Sequence, residues 1–317
     1  MILFRLPFDK RFYSTDSDKS KSSINFTSFD GTEKLIFPGN IIEINSSEFT
    51  EIQINQSKKT TSTKDETKEE YLKKIEAAIE IIKENKLPKM VIARKKTLEA
   101  GLNLIQTFEN LCTSFPSAFV YIFEENGISW IGAFSELLGK FDKKNSLFTT
   151  MSLAGTLPLE ENWSEKEREE QKPVTQYIAG ILKRYSPKVQ QSETYDHISG
   201  NIKHLRTDFR ISVSQNRVQH LIEELHPTPA VCGIPKDFCK ENILKLEHFS
   251  REFYAGYSSI ETEDFQYFFV NLRCGKVWEN AIELFAGGGI TALSNPEKEW
   301  RETELKMQAL EKNLSIS

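Results

Sequence analysis

Phe285-Ala286-Gly287-Gly288-Gly289-Ile290, then Ser294-Asn295-Pro296-Glu297 leading into Glu299-Trp300-Arg301-Glu302-Thr303 and Lys306, reads as a strand, a glycine turn and a capped helix. Ser294 with Glu297 three residues on fits a capping box, and Pro296 suits a first helical turn. On that helix Glu299, Glu302 and Lys306 fall within roughly 60° of one another. They flank the sector of Thr303, Met307 and Leu310, so they lean toward its apolar side. Two carboxylates and an ammonium against a core, beside a glycine turn, suit a metal or an anionic substrate. The same spacing also makes an ordinary surface ion-pair stripe.

Upstream, Phe265–Leu272 and Val277–Ala286 are predicted to form a hairpin through Cys274-Gly275-Lys276, which delivers the chain to the glycines. Ser117–Phe123, Ser129–Phe134 and Leu147–Met151 read as successive strands, and Asn126-Gly127 is a strong hairpin signal. Helical spacing predicts helices over Glu69–Asn85, ended by Leu87-Pro88, and over Asn103–Cys112 and Lys236–Glu247. The charged segment Glu160–Gln171 continues as a helix to about Leu182, and composition alone makes its charges a solvated face. Val213–Leu221 is a further regular element, and the turn residues of His226–Gly233 preclude one there. Residues 1–56 mix short β-like runs with turns, and Gln56–Glu66 is a polar, low-complexity linker. Antiparallel hairpins with interspersed helices predict an α+β fold rather than a doubly wound parallel sheet.

The 317 residues suffice for a large core, and a net charge of −5 gives no nucleic-acid footprint. Cys112, Cys232, Cys239 and Cys274 lack paired spacing, and His197, His204, His220, His226 and His248 lack metal-ligand spacing. Each histidine reads as a surface or core-edge residue. No window approaches a membrane span or a signal peptide, so a soluble cytoplasmic protein is expected. The glycine triplet is followed by no Gly-Lys-Ser/Thr and sits in no βαβ unit, which excludes the common nucleotide loops. What the chain offers is carboxylates, lysines and arginines near turns, a set that suits an anionic substrate with magnesium.

At this point five stretches carry a resemblance: Lys89–Arg94, Ala154-Gly155-Thr156, His226–Gly233 continuing to Glu247 and Arg251–Gly256, Leu272-Arg273, and Phe285–Lys306. Together they resemble the chorismate-utilising enzymes, most closely the isochorismate synthases. The resemblance implies one large domain of two mostly antiparallel sheets packed together with helices outside. Residues 66–317 would form its chorismate-binding core, and residues 1–65 a strand-rich segment and linker of the same domain. It implies that Lys89 is the general base activating water and Glu136 the general acid protonating the departing hydroxyl. Glu170 and Glu302 are implied as Mg²⁺ ligands, with Glu299 close to the metal. Tyr254 and Arg273 are implied to hold the enolpyruvyl carboxylate. Lys306, Gly287 and the segments Gly155-Thr156 and Ala230-Val231 complete the implied substrate contacts.

Lys89 and Ala230 favour the water-using branch, since ammonia-using relatives usually lack such a lysine and carry threonine at the second position. The expectation is an Mg²⁺-dependent isochorismate synthase serving menaquinone or catecholate siderophore synthesis, monomeric and without a glutaminase subunit. The alternative is a salicylate synthase or an anthranilate or aminodeoxychorismate synthase-like lyase. Three residues depart from the family pattern. Leu157 stands near a usual arginine, Phe134 in a usual Gly-Ala-Ser-Pro-Glu run, and Gln171 where many members have histidine.

Overall fold

The computed structural model describes residues 1–317 except 17, 53, 60–64, 200 and 201. Alternation along its central strands decides the architecture. In β7 (Phe119–Glu125) Phe119, Tyr121 and Phe123 point one way and Val120 and Ile122 the other. In β8 (Ile128–Phe134) Trp130 and Phe134 oppose Ile131 and Ala133 in the same manner. Aromatic side chains thus cover one face of this sheet and aliphatic ones the other. Asn126 and Gly127, with φ of 54° and 77°, make the left-handed turn between them.

The first sheet runs β14 (Gly233–Ile234), β6 (Lys89–Leu98), β18 (Ala281–Ile290), β17 (Cys274–Trp278), β8, β7, β1 (Ile2–Arg5), β2 (Phe12–Thr15), β5 (Ile41–Ile44). The second runs β11 (Gln190–Gln191), β13 (Ile202–Ser212), β10 (Leu147–Pro158), β9 (Leu137–Asp142), β16 (Phe265–Val270), β15 (Tyr257–Glu261), β3 (Ser22–Thr27), β4 (Lys34–Pro38). β12 (Tyr195–Ser199) pairs with β13 as well. The ladders are antiparallel throughout, in an α+β fold of one domain. The aromatic faces meet between the sheets. Phe26 lies 4.8 Å from the ring centres of Tyr121 and Phe123, and Phe269 stacks on Phe119 at 5.2 Å.

Helices cover the outer faces. α2 (Leu104–Ser114) and α6 (Pro296–Glu311) pack on the aliphatic side of the first sheet, and α1 (Lys68–Asn85) packs on α6 and β6. α3 (Glu165–Tyr185) lies on β10 and β13, with α4 (Val218–Leu225) beside it, and α5 (Lys236–Leu246) lies on β6 and β14. The N-terminal strands extend both sheets, β1 along β7 and β3 along β15.

Three local expectations need correction. Phe265–Leu272 and Val277–Ala286 do not pair with each other; the hairpin is β17–β18, closed at Glu279-Asn280, and β16 belongs to the other sheet. The chain must therefore cross between sheets at Asn271-Leu272-Arg273. The glycine triplet is no turn but the end of β18, with Gly287, Gly288 and Gly289 paired to Ala93, Ile92 and Val91. The turn follows at Thr291–Asn295, and the helix cap is Asn295, whose side chain accepts from Lys298 N, while Ser294 Oγ instead accepts from Thr291 N. Within the expected linker, 60–64 lie outside the described residues. Its described ends are docked: Ser57 N donates to Gly127 O at 2.7 Å and Thr97 N to Asp65 Oδ2 at 2.6 Å.

Candidate active site

Two crossings between the sheets build the floor of a cleft. β8 passes to β9 through Ser135-Glu136, and β16 passes to β17 through Asn271–Arg273. Backbone bonds lock the crossings together: Val270 N donates to Glu136 O at 3.0 Å and Ala133 N to Arg273 O at 3.1 Å. Arg273 adopts φ 46°, a left-handed conformation that a side chain tolerates only where its surroundings hold it. A carboxyl and a guanidinium so enter the cleft from adjacent strand ends.

The cleft opens into a cavity between the two sheets. Lys89, Glu136, Glu170 and Lys306 line it, as do Tyr254, Arg273 and Gly287. Ala230 and Val231 form part of one wall, and Gly155 and Thr156 part of another. Gly155 sits at φ 72°, where the β10–β13 register shifts between Ala154 and Leu157. Glu299 and Glu302 lie behind this cavity, lining a second hollow with Lys166, Leu157 and Thr156. The sequence thus assembles eleven of its candidate groups around one space, with the last two carboxylates next to it.

The glycines explain how the two spaces meet. β18 turns Phe285, Gly287 and Gly289 toward the other sheet and Ala286 and Gly288 toward α6. A Cβ on Gly289 would collide with Glu170 Oε1 and lie 2.5 Å from Lys89 Cε. One on Gly288 would lie 3.0 Å from Glu299 Oε2 and 3.9 Å from Glu302 Oε1. Only glycine leaves room on both faces at once.

Charges interleave here. Lys89 Nζ donates to Glu170 Oε1 at 2.8 Å, both side chains being buried. Lys166 Nζ bridges Glu170 Oε2 at 3.3 Å and Glu299 Oε1 at 3.2 Å. Lys306 Nζ donates to Glu302 Oε1 at 2.7 Å and to Gly287 O at 2.8 Å, so Gly287 presents its carbonyl to the ammonium. Burial would raise Glu170, but Lys89 and Lys166 outweigh it and hold the carboxyl down to about 2. Glu299 goes the other way, pushed up to about 7 by burial against the pull of Lys166. Its Oε2 is buried without a hydrogen-bond partner. Glu136 is likewise pushed up to about 7 by burial, despite Lys89, Lys306 and Arg273 nearby. Burial brings Arg273 down to about 10, with Glu136 opposing.

One group escaped the sequence reading. His204, expected at the surface or core edge, is buried on β13 and lines the cavity. Its Nδ1 lies 2.9 Å from Gly155 O, which fixes that nitrogen as the donor, and Nε2 lies 3.4 Å from Arg273, from which it accepts. Burial, then Arg273 and Lys306, lowers it to about 3, so the ring is neutral. The signal was the alternation of Leu205, Thr207, Phe209 and Ile211 with Arg206, Asp208 and Arg210, a strand pattern whose phase slips by one residue at His204. Composition alone makes the charges of α3 a solvated face, yet Glu167 and Glu170 lie on its buried face with Gln171, Val174 and Ile178.

The sequence profile of one protein family, described as chorismate binding enzyme, matches residues 32–315. The chain belongs to the chorismate-binding enzymes. Isochorismate synthase EntC of Escherichia coli K12 is 30% identical to it over 230 residues, covering 68% of this chain and 58% of the relative. Isochorismate synthase MenF of Bacillus subtilis is 27% identical over 260 residues, covering 77% of this chain and 55% of the relative. The chain thus spans less than two thirds of the length of either. In fold, DhbC of Bacillus anthracis superposes with a TM-score of 0.80 at 24% identity, covering 98% of this chain and 95% of that one. MenF of Escherichia coli gives 0.79 at 20%, covering 98% and 88%.

As a chorismate-binding enzyme, the chain keeps Gln171 out of the cavity but sets Phe134 in its wall and Leu157 beside Glu299 and Glu302. Gln171 turns out of the cavity, and its Nε2 donates to Ser152 Oγ at 3.0 Å. Phe134 is core, 5.4 Å from Phe119 between ring centres. Leu157 faces the second hollow. Among the described residues no helix is long and apolar enough to cross a membrane.

Proposed function

We propose that this chain is an isochorismate synthase, converting chorismate to isochorismate. The observation that supports it best is a single cavity holding Lys89 and a Glu136 carboxyl raised to about 7, with Arg273 and Lys306 beside them. A carboxyl that keeps its proton near neutrality can donate it to a leaving hydroxyl. Lys89, once neutral, takes a proton from water as the water oxygen bonds to the ring carbon next to the carboxylate-bearing one. The ring double bonds shift, the original C–O bond breaks, and Glu136 protonates the departing hydroxide. Water enters and water leaves, so the net change is an isomerisation. Proton exchange with solvent then resets both groups. Arg273, oriented by His204, and Tyr254 hold the enolpyruvyl carboxylate through charge-assisted and neutral hydrogen bonds.

Magnesium belongs to the same proposal. It takes carboxylate oxygens together with waters and substrate oxygens. Among the described residues no three acidic, histidine or cysteine side chains yet close around one point. The orphaned Oε2 of Glu299, facing the same space over Gly288 as Glu302 Oε1, fits a cation in position and chemistry. Glu170, Glu299 and Glu302 would hold it, and when bound it would neutralise the ring carboxylate.

Purified protein incubated with chorismate and magnesium should yield isochorismate by chromatography, and a chelator should stop it. Absence of turnover would refute the reading. Release of pyruvate would instead identify a lyase of the same fold. The product would supply menaquinone or catecholate siderophore synthesis.

A further inference from the structure

The strand that carries Lys89 has a complete neighbour on one side only. β18 pairs with it from Met90 to Leu98, whereas β14 covers Lys89 and Met90 alone on the other. Beyond Met90 a buried edge would leave N–H and C=O groups unpaired, which is costly. Here a row of side chains replaces the missing strand. Arg251 Nη2 donates to Val91 O at 2.9 Å, and Ala93 N donates to Glu247 Oε1 at 2.6 Å. Lys74 Nζ donates to Ala93 O at 3.0 Å. Val91 N donates to Cys232 O at 2.8 Å, so the Pro229–Cys232 loop joins the same edge.

Two of these groups do more than cap an edge. Glu247 and Arg251 form a buried two-point pair, Nε to Oε2 at 2.8 Å and Nη2 to Oε1 at 2.5 Å, each residue 4% exposed. Arg251 Nη1 also donates to Val231 O at 2.7 Å. One guanidinium therefore ties the carbonyls of Val91 and Val231, which line the cavity on different segments. A buried ion pair by itself is weak evidence of stabilisation, because well-packed apolar residues often serve as well. An apolar pair could not hold two carbonyls and an amide of two cavity walls in register. That favours a role in geometry over one in stability alone.

We propose that Glu247 and Arg251 are positioning residues that fix the Lys89 strand against the Ala230-Val231 loop, and so hold the Lys89 ammonium in place for the reaction. The proposal rests on the isochorismate synthase reading. Neither residue touches the cavity; both act through the backbone two and four positions beyond Lys89. Arg251→Lys keeps the charge but cannot reach Glu247, Val91 and Val231 together. Glu247→Gln with Arg251→Met removes the pair without stranding a buried charge.

The test measures kcat and KM for chorismate in both variants, with thermal unfolding and amide exchange on the same samples. Misplacement of a catalytic group predicts kcat lower by ~10 to 10²-fold, with KM changed by less than about threefold, in protein that remains folded. Exchange should quicken at Val91 and Ala93 and stay native in the aromatic core. Folded variants with kcat within about twofold of the parent would overturn the proposal. So would faster exchange spread evenly through both sheets, which is what a merely structural pair predicts. If the parent protein itself makes no isochorismate, the functional reading fails, and the exchange pattern still decides whether the pair holds these two segments.

Discussion

Glu170 and Glu299 approach one strand from opposite faces and end in opposite states. Glu170 lies over Gly289, between Lys89 and Lys166, and is held down to about 2. Glu299 lies over Gly288 with one oxygen on Lys166 and the other on nothing, and is pushed up to about 7. Burial pushes both upward; Lys89, Lys166 and Lys306 pull Glu170 down, whereas Glu299 has one ammonium, Lys166, against the carboxylates of Glu302 and Glu170. Glu170 has an ammonium on each oxygen, whereas Glu299 leaves Oε2 without a partner near Glu302, and the proposal has magnesium held by these three carboxylates.

The strongest way to break this contrast is Lys89→Ala. It removes the proposed base and the main attraction on Glu170 together, making Glu170 resemble Glu299. Turnover of chorismate should fall by ~10² to 10⁴-fold with the fold retained by circular dichroism. Glycine substitutions sharpen the contrast next. Gly289→Ala should lower kcat by about 10²-fold, since its methyl group strikes Glu170 and Lys89. Gly288→Ala, meeting Glu299 Oε2 at 3.0 Å, should act chiefly on magnesium affinity, read by calorimetry, with kcat largely recovered at saturating metal.

Glu136 provides the pH arm. With its carboxyl at about 7, kcat should fall as pH rises through about 7, where the acid is lost. Its contribution to stability moves in the same direction. Between the ordinary 4.5 and about 7 the native Glu136 binds a proton that the unfolded chain has released, so the stability this group contributes declines as pH rises across that window. Glu136→Gln should abolish turnover and remove the Glu136 share of the pH dependence of melting, leaving that of Glu299. The smallest effect concerns the outer face's support. Asn295→Ala, which removes the α6 cap, should cost ~1 kcal/mol in denaturant melts, and Ser294→Ala less.

Most of the candidate site was legible only through the family resemblance, which brought Lys89, Glu136, Glu170 and Arg273 together, and local patterning added little beyond one helix. Glu299, Glu302 and Lys306 share a helix sector by spacing alone, and Lys89 opens an apolar run. Asn126-Gly127 specified its hairpin by backbone chemistry. What local reading missed depended on which sheet a strand joins. Phe265–Leu272 and Val277–Ala286 look like hairpin partners in sequence, yet only tertiary packing sends the first to the second sheet and leaves Arg273 at the crossing. The glycines looked like a turn because the side chains that demand them, Lys89, Glu170, Glu299 and Glu302, arrive from three other segments. His204 was hidden by the slip of the strand's alternation at its own position, and its partners Gly155 and Arg273 are 49 and 69 residues away.

The central claim is that Lys89 delivers a solvent water to the ring while Glu136 releases the old hydroxyl. Conversion of chorismate in water carrying heavy oxygen tests it directly, with the product analysed by mass spectrometry. The account predicts isochorismate bearing one solvent oxygen in its ring hydroxyl. Isochorismate that retains the substrate's own hydroxyl oxygen would contradict it.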